Sequence, residues 1–108
     1  MFRQRGQYDS AIVLMEGEIR YRPSAENFDR LGGLLADDGD SLRAGQSYNQ
    51  ALRIDPTYAP ALYDLAVLSA ARGDTASAHM LADRAYRLRP DVEAVRKLYF
   101  QFARPQNP

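Results

Sequence analysis

Two stretches of the chain repeat at a fixed offset of 34 residues. The segment GDSLRAGQSYNQALRIDP begins at Gly39 and returns as GDTASAHMLADRAYRLRP at Gly73, with Gly, Asp, Ala, Arg and Pro at matching places. No gap separates the two copies, and a weaker echo at an offset of 33 extends the pattern upstream from Gly39 to Gly6. A register kept over this length predicts an array of similar units stacked on one another.

Each copy has the pattern of a helical hairpin. In the first copy, apolar residues at helical spacing predict a helix over residues 25–37 that ends at Gly39. Asp40 or Ser41 then caps a second helix, which runs to about Ile54. The same signals predict further helices over residues 8–21, 58–72, 75–88 and 92–103.

The residues at fixed places in the two copies belong to a known pattern. The first copy contains Phe28-x2-Leu31-Gly32-x2-Leu35, Ala44-x3-Tyr48 and Pro56. The second copy contains Leu62-x2-Leu65-Ala66-x2-Ser69, Ala78-x3-Ala82 and Pro90. The chain therefore resembles tetratricopeptide repeats, whose 34-residue signature is W-x2-L-G-x2-Y, A-x3-F and P. Ser69 and Ala82 depart from it, because the family prefers aromatic residues there.

The resemblance implies an all-α fold, a right-handed α-solenoid of stacked antiparallel helix hairpins. Residues 1–24 would be the second half of an N-terminal repeat, and residues 25–58 and 59–92 would be complete repeats. Residues 93–103 would form a C-terminal capping helix, followed by a tail over 104–108. All of these units would belong to one solenoid domain.

Composition and motifs argue against catalysis and against several classes of ligand. The 108 residues carry 14 basic and 14 acidic side chains and no Cys, so neither a net basic field nor a thiolate site is available. There is no Gly-rich phosphate loop, no H-E-x-x-H and no G-x-S-x-G. We therefore expect no enzymatic activity, no cofactor, no metal and no nucleic-acid partner.

Membrane insertion and export are not expected either. The longest unbroken apolar run, Ala11 to Met15, is far shorter than a bilayer-spanning helix. The chain as given opens with no export signal, and the sequence leaves the compartment open.

Three local features were weighed as sites. The single histidine, His79, has no nucleophile or paired carboxylate at a suitable offset, which favours a partly buried packing residue. The DDGD segment at residues 37–40 lacks the calcium-loop pattern and is predicted to be an interhelical turn with a helix cap. The third feature is a group of four arginines, Arg53, Arg84, Arg87 and Arg89. The pattern favours a solvated face over a nucleic-acid site for this group.

The family resemblance also implies a concave groove, lined by the first helix of each hairpin, that receives a peptide or helix of another protein. Tyr63 is expected to anchor the bound segment. The alternative is that Tyr63 and Val67 only shield the floor of the groove from solvent. Chaperone-binding members of the family hold a C-terminal carboxylate with Lys, Asn and Arg, and this chain has no such residues at the corresponding places. The implied groove residues are Glu26, Asp29, Gly33, Ala36, Asp37, Tyr63, Val67, Ala70, Ala71, Ala94, Lys97 and Gln101.

A second function is compatible with the sequence, namely self-association through the open ends of the solenoid. Five consecutive apolar residues, Ala11 to Met15, face every side of their helix, and only MFRQR remains of a helix that would cover one of those sides. The pattern predicts a homodimer through residues 8–21. The residues expected to carry it are Ile12, Leu14, Met15 and Ile19.

Overall fold

A computed structural model describes the backbone of residues 2–103 and the side chains of residues 6–102. Within that range the chain forms six α-helices and no strand. They are α1 (Phe2–Tyr21), α2 (Ala25–Asp37), α3 (Ser41–Ile54), α4 (Ala59–Ala71), α5 (Thr75–Leu88) and α6 (Glu93–Ala103). Each helix packs against the next, and α2 also packs against α4, so the predicted all-α stack of hairpins is confirmed. The predicted tail over 104–108 lies outside the described residues.

The first helix is longer than the sequence pattern predicted. The pattern started this helix at residue 8, but α1 runs without interruption from Phe2 to Tyr21. Residues 2–5 therefore continue α1 instead of forming a remnant of an earlier helix. Arg and Gln are good helix formers, and Gly6 weakens a helix by about 1 kcal/mol without ending it.

The turn inside each hairpin has the same geometry in both copies. Gly39 and Gly73 adopt positive φ angles of 89° and 83°, which side chains larger than hydrogen disfavour. In the first turn, the Gly39 N–H donates to Ala36 O at 3.0 Å and the Asp40 N–H donates to Leu35 O at 2.8 Å. These two hydrogen bonds are the pattern of a Schellman turn, which provides donors for the last carbonyl groups of the helix.

An aspartate begins the second helix of each hairpin. The Asp40 carboxylate accepts from the Arg43 N–H at 3.1 Å, and the Asp74 carboxylate accepts from the Ser77 N–H at 3.1 Å. An N-cap of this kind is worth about 1 kcal/mol, and the negative charge also suits the positive end of the helix dipole. In each Gly-Asp pair of the repeat, the glycine therefore ends the first helix of the hairpin and the aspartate caps the start of the second.

The core consists of large side chains set between helices that approach closely at small ones. Ala44, Ala51, Ala78 and Ala85 are fully buried, and they lie at matching places in α3 and α5. The tightest approach is between Gly32 of α2 and the buried ring of Tyr48 of α3, because a Cβ at position 32 would overlap that ring.

The second repeat changes both partners of this contact together. Ala66 takes the place of the glycine and Ala82 takes the place of the tyrosine, and both are buried. A smaller partner therefore leaves room for the extra methyl group.

The α1 helix packs its own apolar side chains inward, which corrects the predicted self-association surface. Ile12 is 6% exposed and lies in a cluster with Leu31, Leu35 and Tyr48. Met15 and Ile19 are half-buried against the same cluster. Leu14 alone of the predicted set is exposed, because it lies on the side of α1 turned away from α2 and α3. The prediction was wrong for Ile12, because α2 and α3 cover its side chain without help from an earlier helix. For Met15 and Ile19 it stays a prediction, since each keeps part of its surface exposed.

Gly32→Ala tests the close approach. Overpacking against Tyr48 costs about 1–3 kcal/mol, and it outweighs the gain of about 1 kcal/mol in helix propensity. We expect the free energy of unfolding, measured in urea, to fall by up to about 2 kcal/mol.

The control is the same substitution in a Tyr48→Ala background. There the methyl group has space and only the propensity gain remains, so Gly32→Ala should stabilise that variant by up to about 1 kcal/mol. The same sign of effect in both backgrounds would contradict a steric coupling between positions 32 and 48.

Candidate functional site

The candidate site lies along α2, α4 and α6, the first helices of successive hairpins. Tyr63 of α4 is half-buried, with its ring against the core cluster that contains Leu62 and Val95. It borders a cavity of about 270 Å³ that Ala94, Lys97 and Gln101 of α6 also line. The structure thus brings together Tyr63 and the predicted groove residues of α6.

A second cavity also borders Tyr63. Its volume is about 230 Å³, and Pro60, Asp64, Val92 and Val95 contribute to its walls. The Arg89 guanidinium, which also lines it, pairs with the Asp91 carboxylate at 3.0 Å. Tyr63 therefore lines two hollows between α4 and α6, one bordered by Lys97 and the other more apolar.

The remaining predicted groove residues lie on α2 and α4. Gly33, Ala36 and Ala70 are half-buried. Glu26, Asp37, Val67 and Ala71 are exposed, and Val67 exposes 42% of its surface. None of these residues lines the two cavities beside Tyr63.

Two carboxyl groups meet between α2 and α4. Asp29 and Asp64 are both half-buried, and their side chains are hydrogen-bonded to each other. The Oδ1 atom of Asp29 is buried and has no hydrogen-bond partner among the described residues. A carboxyl–carboxyl hydrogen bond requires a proton, so the pair shares one.

Burial and mutual repulsion raise the pKa values of this pair. Burial, followed by the hydrogen bond and the charge of Asp64, raises the pKa of Asp29 from 3.8 to about 8. Burial also raises the pKa of Asp64. The pKa of Tyr48 is raised by burial and, in decreasing order, by the charges of Asp64, Asp29 and Asp37. The floor of the site between α2 and α4 is therefore electrostatically negative.

Asp64 was missed by the sequence analysis, although a signal was present. It is the single charged residue in α4, whose sequence is APALYDLAVLSAA. A lone carboxylate in an otherwise apolar helix needs a partner or a proton. Which partner it has depends on the packing of α4 against α2.

His79 and the DDGD segment, two of the three local features in the sequence, take up positions with no sign of a binding site. His79 is exposed, so its prediction as a partly buried packing residue was wrong; it lies on the outer side of α5. The DDGD segment forms the turn between α2 and α3 together with the Asp40 cap, as predicted. No group of three or more His, Cys, Asp or Glu side chains in the described part of the chain is arranged to hold a metal ion.

The four arginines separate into two pairs. Arg87 pairs with Asp83 at 3.0 Å and Arg89 pairs with Asp91 at 3.0 Å, so these charges are locally neutralised. Arg53 of α3 and Arg84 of α5 instead line one cleft, together with Arg72, which directly follows α4. Sequence spacing alone did not reveal this cleft, because its arginines come from three different parts of the chain.

Comparison with known families identifies the repeat. The family model of the tetratricopeptide repeat matches residues 47–80. Residues 47–80 are a tetratricopeptide repeat. The match covers the end of α3, all of α4 and the start of α5, so it joins two successive hairpins. The resemblance deduced from the sequence pattern is confirmed.

Curated relatives share this repeat region with much longer proteins. The probable biofilm formation methyltransferase WspC of Pseudomonas aeruginosa is 42% identical over 83 residues, which are 76% of this chain and 20% of that protein. The peroxisomal targeting signal receptor of Saccharomyces cerevisiae is 36% identical over 70 residues, which are 64% of this chain and 11% of that protein. The chain thus spans a fifth or less of these two relatives.

Solved structures with the same helical architecture include the type III secretion chaperone SycD of Yersinia enterocolitica, in complex with a peptide of the translocator YopD. That chain superposes with a TM-score of 0.77 at 19% identity, covering 93% of this chain and 77% of its own length. The likeness supports the solenoid fold. In the described part of the chain no helix combines the length and apolarity needed to cross a bilayer.

The shared proton predicts how stability depends on pH. The pKa of Asp29 in the folded protein is about 8, above the ordinary value of 3.8, so the folded protein binds more protons than the unfolded chain between these two pH values. The free energy of unfolding should therefore fall as the pH rises through that interval towards the folded pKa. Chemical denaturation at several pH values between 5.5 and 8.5, roughly within that interval, measures the slope.

Asp29→Asn is the variant that checks the origin of this slope. An amide donates to the Asp64 carboxylate without needing a proton, so most of the pH dependence should disappear. Asp9→Asn, at an exposed position of α1, is the matched control and should keep the wild-type slope. An unchanged slope in Asp29→Asn would assign the pH dependence to other groups.

Proposed function

We propose that the chain is a non-enzymatic interaction module that docks a peptide or helix of another protein along α2, α4 and α6. The observation that carries this proposal is that Tyr63 borders two cavities. Side chains of an incoming segment can enter both cavities and contact Tyr63 from each, so the two cavities would act as neighbouring subsites. The SycD structure in complex with a translocator peptide and the targeting signal receptor support this function by analogy.

The chemistry of Tyr63 suits an anchor. Its ring is already ordered against the core, so binding costs little side-chain entropy. Aromatic residues of this kind carry a large share of the binding energy at protein interfaces. The hydroxyl group adds a polar contact without a charge.

The charges along the site give it a direction. Glu26, Asp37 and the Asp29–Asp64 pair make the α2 side acidic, although Arg30 pairs with Glu26 at 2.9 Å. Lys97 lies at the α6 side and pairs with Glu93 at 3.5 Å, with both side chains mostly exposed. Such an exposed pair is weak and can exchange for a partner's carboxylate. We expect the bound segment to be basic towards α2 and acidic towards α6.

Selection from a library of displayed peptides tests this function without a known partner. Peptides recovered on the wild-type protein should bind Tyr63→Ala at least tenfold more weakly, because loss of an interface anchor typically costs 2 kcal/mol or more. Circular dichroism should show that the variant retains its helical content.

Tyr21→Ala is the matched control, because Tyr21 is 87% exposed on α1 and lies outside the site. It should bind the selected peptides as the wild type does. Equal loss in both variants, or no loss in Tyr63→Ala, would place the peptide elsewhere and contradict the proposal.

A second candidate function is self-association through α1. Val13 and Leu14 expose 63% and 74% of their surfaces, although both are apolar. Adjacent exposed apolar side chains on a terminal helix favour contact with a second copy, and a twofold axis would let the two helices cover each other.

Light scattering over a dilution series tests this alternative. If α1 mediates a dimer, the mass should fall on dilution and Leu14→Asp should be monomeric throughout. Glu18→Asp, at another exposed position of α1, should behave as the wild type does. A wild-type chain that stays monomeric at high concentration excludes the dimer and leaves the docking function standing.

A further inference from the structure

A second, larger cleft opens on the opposite side of α4 from Tyr63. Its volume is about 740 Å³, and its walls come from α3, α4 and α5. Leu65 and Ser69 of α4 line it, as does Arg72 directly after the end of that helix. Each follows a groove residue of α4 by two positions, which is about 200° around a helix. The cleft and the candidate groove therefore use different faces of the same helix.

Departures from the repeat pattern make this cleft. Ser69 takes the place that Leu35 fills in the first repeat, where Leu35 is 1% exposed. Gly45 and Ser77 also line the cleft, so small side chains come from all three helices. A side chain of leucine size at position 69 would occupy part of this space.

Gly45 is not required by the packing of the core. A Cβ at this position would lie 3.5 Å from Leu68 Cδ2, an ordinary van der Waals contact. Glycine in a helix interior nevertheless costs about 1 kcal/mol relative to alanine. Gly45 therefore lines the cleft at a cost in helix stability that core packing does not explain.

The lining combines apolar and uncharged polar side chains with charges of a single sign. Leu52, Leu65 and Leu81 are partly or fully buried beneath the cleft, whereas Leu42 and Met80 are 66% and 57% exposed. The uncharged polar side chains include Gln46 and Asn49. Arginine is the one charged residue type among the lining side chains. Exposed apolar side chains beside positively charged arginines suit a partner that is amphipathic and negatively charged.

None of the three cleft arginines forms an ion pair with a carboxylate in the described part of the chain, whereas four arginines elsewhere do. Arg30, Arg43, Arg87 and Arg89 each pair with a carboxylate at 3.0 Å or less. Arg53 makes no ion pair among the residues that the structure describes, and Arg84 donates only to the Pro56 carbonyl at 3.3 Å. Arg72 acts electrostatically on Asp74, which is itself exposed and bonded to Ser77. Guanidinium groups that lack a carboxylate of their own can form charge-assisted hydrogen bonds with carboxylates of a partner.

We propose that this cleft docks an acidic protein segment that inserts an aliphatic side chain between Leu42 and Met80 and places carboxylates against Arg53, Arg72 and Arg84. The apolar floor recognises the aliphatic side chain, and the arginine rim selects the acidic flanks. A protein segment is favoured over nucleic acid because no aromatic or histidine side chain lines the cleft for base stacking. The cleft is independent of the groove at Tyr63, so a chain of this kind can hold two segments at once.

Fluorescence anisotropy with synthetic probes tests the proposal. The probe is a fluorescein-labelled peptide in which leucines are flanked by glutamates. One control peptide replaces every Glu with Lys, a second replaces every Leu with Ser, and labelled oligothymidylate represents nucleic acid. We expect saturable binding of the acidic leucine peptide alone.

Variants connect that binding to the cleft. Arg53→Gln/Arg84→Gln and Met80→Gln should each weaken the acidic leucine peptide at least tenfold. The matched control is Arg20→Gln/Arg96→Gln, which also removes two positive charges, both outside the cleft. Arg96 donates a weak hydrogen bond to the Pro90 carbonyl at 3.4 Å, similar to the bond that Arg84 donates to the Pro56 carbonyl, so the control loses a comparable contact. This control and Tyr63→Ala should bind as the wild type does. Thermal melts followed by circular dichroism establish that each variant is folded, and Met80 is exposed enough for a polar substitution to be tolerated.

Several results would overturn the proposal. Absence of saturable binding would do so, as would unchanged affinity in both cleft variants. Equal binding of the Leu-to-Ser peptide would mean that charge alone attracts the probe. Tighter binding of oligothymidylate, lost in the arginine variant, would mean that the rim is a nucleic-acid surface.

Discussion

The close approach of paired helices at small side chains is the contact on which the rest of the stack depends. Gly32 lets the buried Tyr48 ring lie directly against α2, and fully buried alanines do the same between later helices. Dense packing of this kind fixes the angle between helices, because protein interiors deform little. The relative positions of α2, α4 and α6, and therefore the shape of the candidate groove, follow from contacts on the opposite faces of those helices.

The groove contains a feature that stability alone would not favour. Asp29 and Asp64 are held together where burial and like charge oppose ionisation, and the pKa of Asp29 rises to about 8. A pair of apolar residues would fit the α2–α4 contact without this cost. The pair keeps the floor of the site polar and makes its charge depend on pH near neutrality. A cationic group of a partner that replaced the shared proton would leave both carboxylates ionised.

The two repeats have diverged in a correlated manner. The first combines Gly32 with Tyr48 and Leu35, whereas the second combines Ala66 with Ala82 and Ser69. The first set fills its hairpin core with large side chains. The second keeps the core closed with small ones and leaves a cleft between α3 and α5, with α4 contributing one wall. One period therefore produces two hairpins with different surfaces, and α4 contributes to the candidate groove on one side and to an arginine-rimmed cleft on the other.

Short-range chemistry in the sequence determined the period, the helix ends, the Gly-Asp turns and the fold class, since caps and helical spacing act within a few residues of one another. Only the tertiary structure decided that Ile12 is covered by α2 and α3, that Asp64 meets Asp29, and that Arg53, Arg72 and Arg84 surround one cleft. Each of these depends on which faces of separate helices meet. The meeting of those faces is set by the volumes of side chains such as Gly32 and Tyr48, which a one-dimensional pattern of apolar and polar residues does not contain.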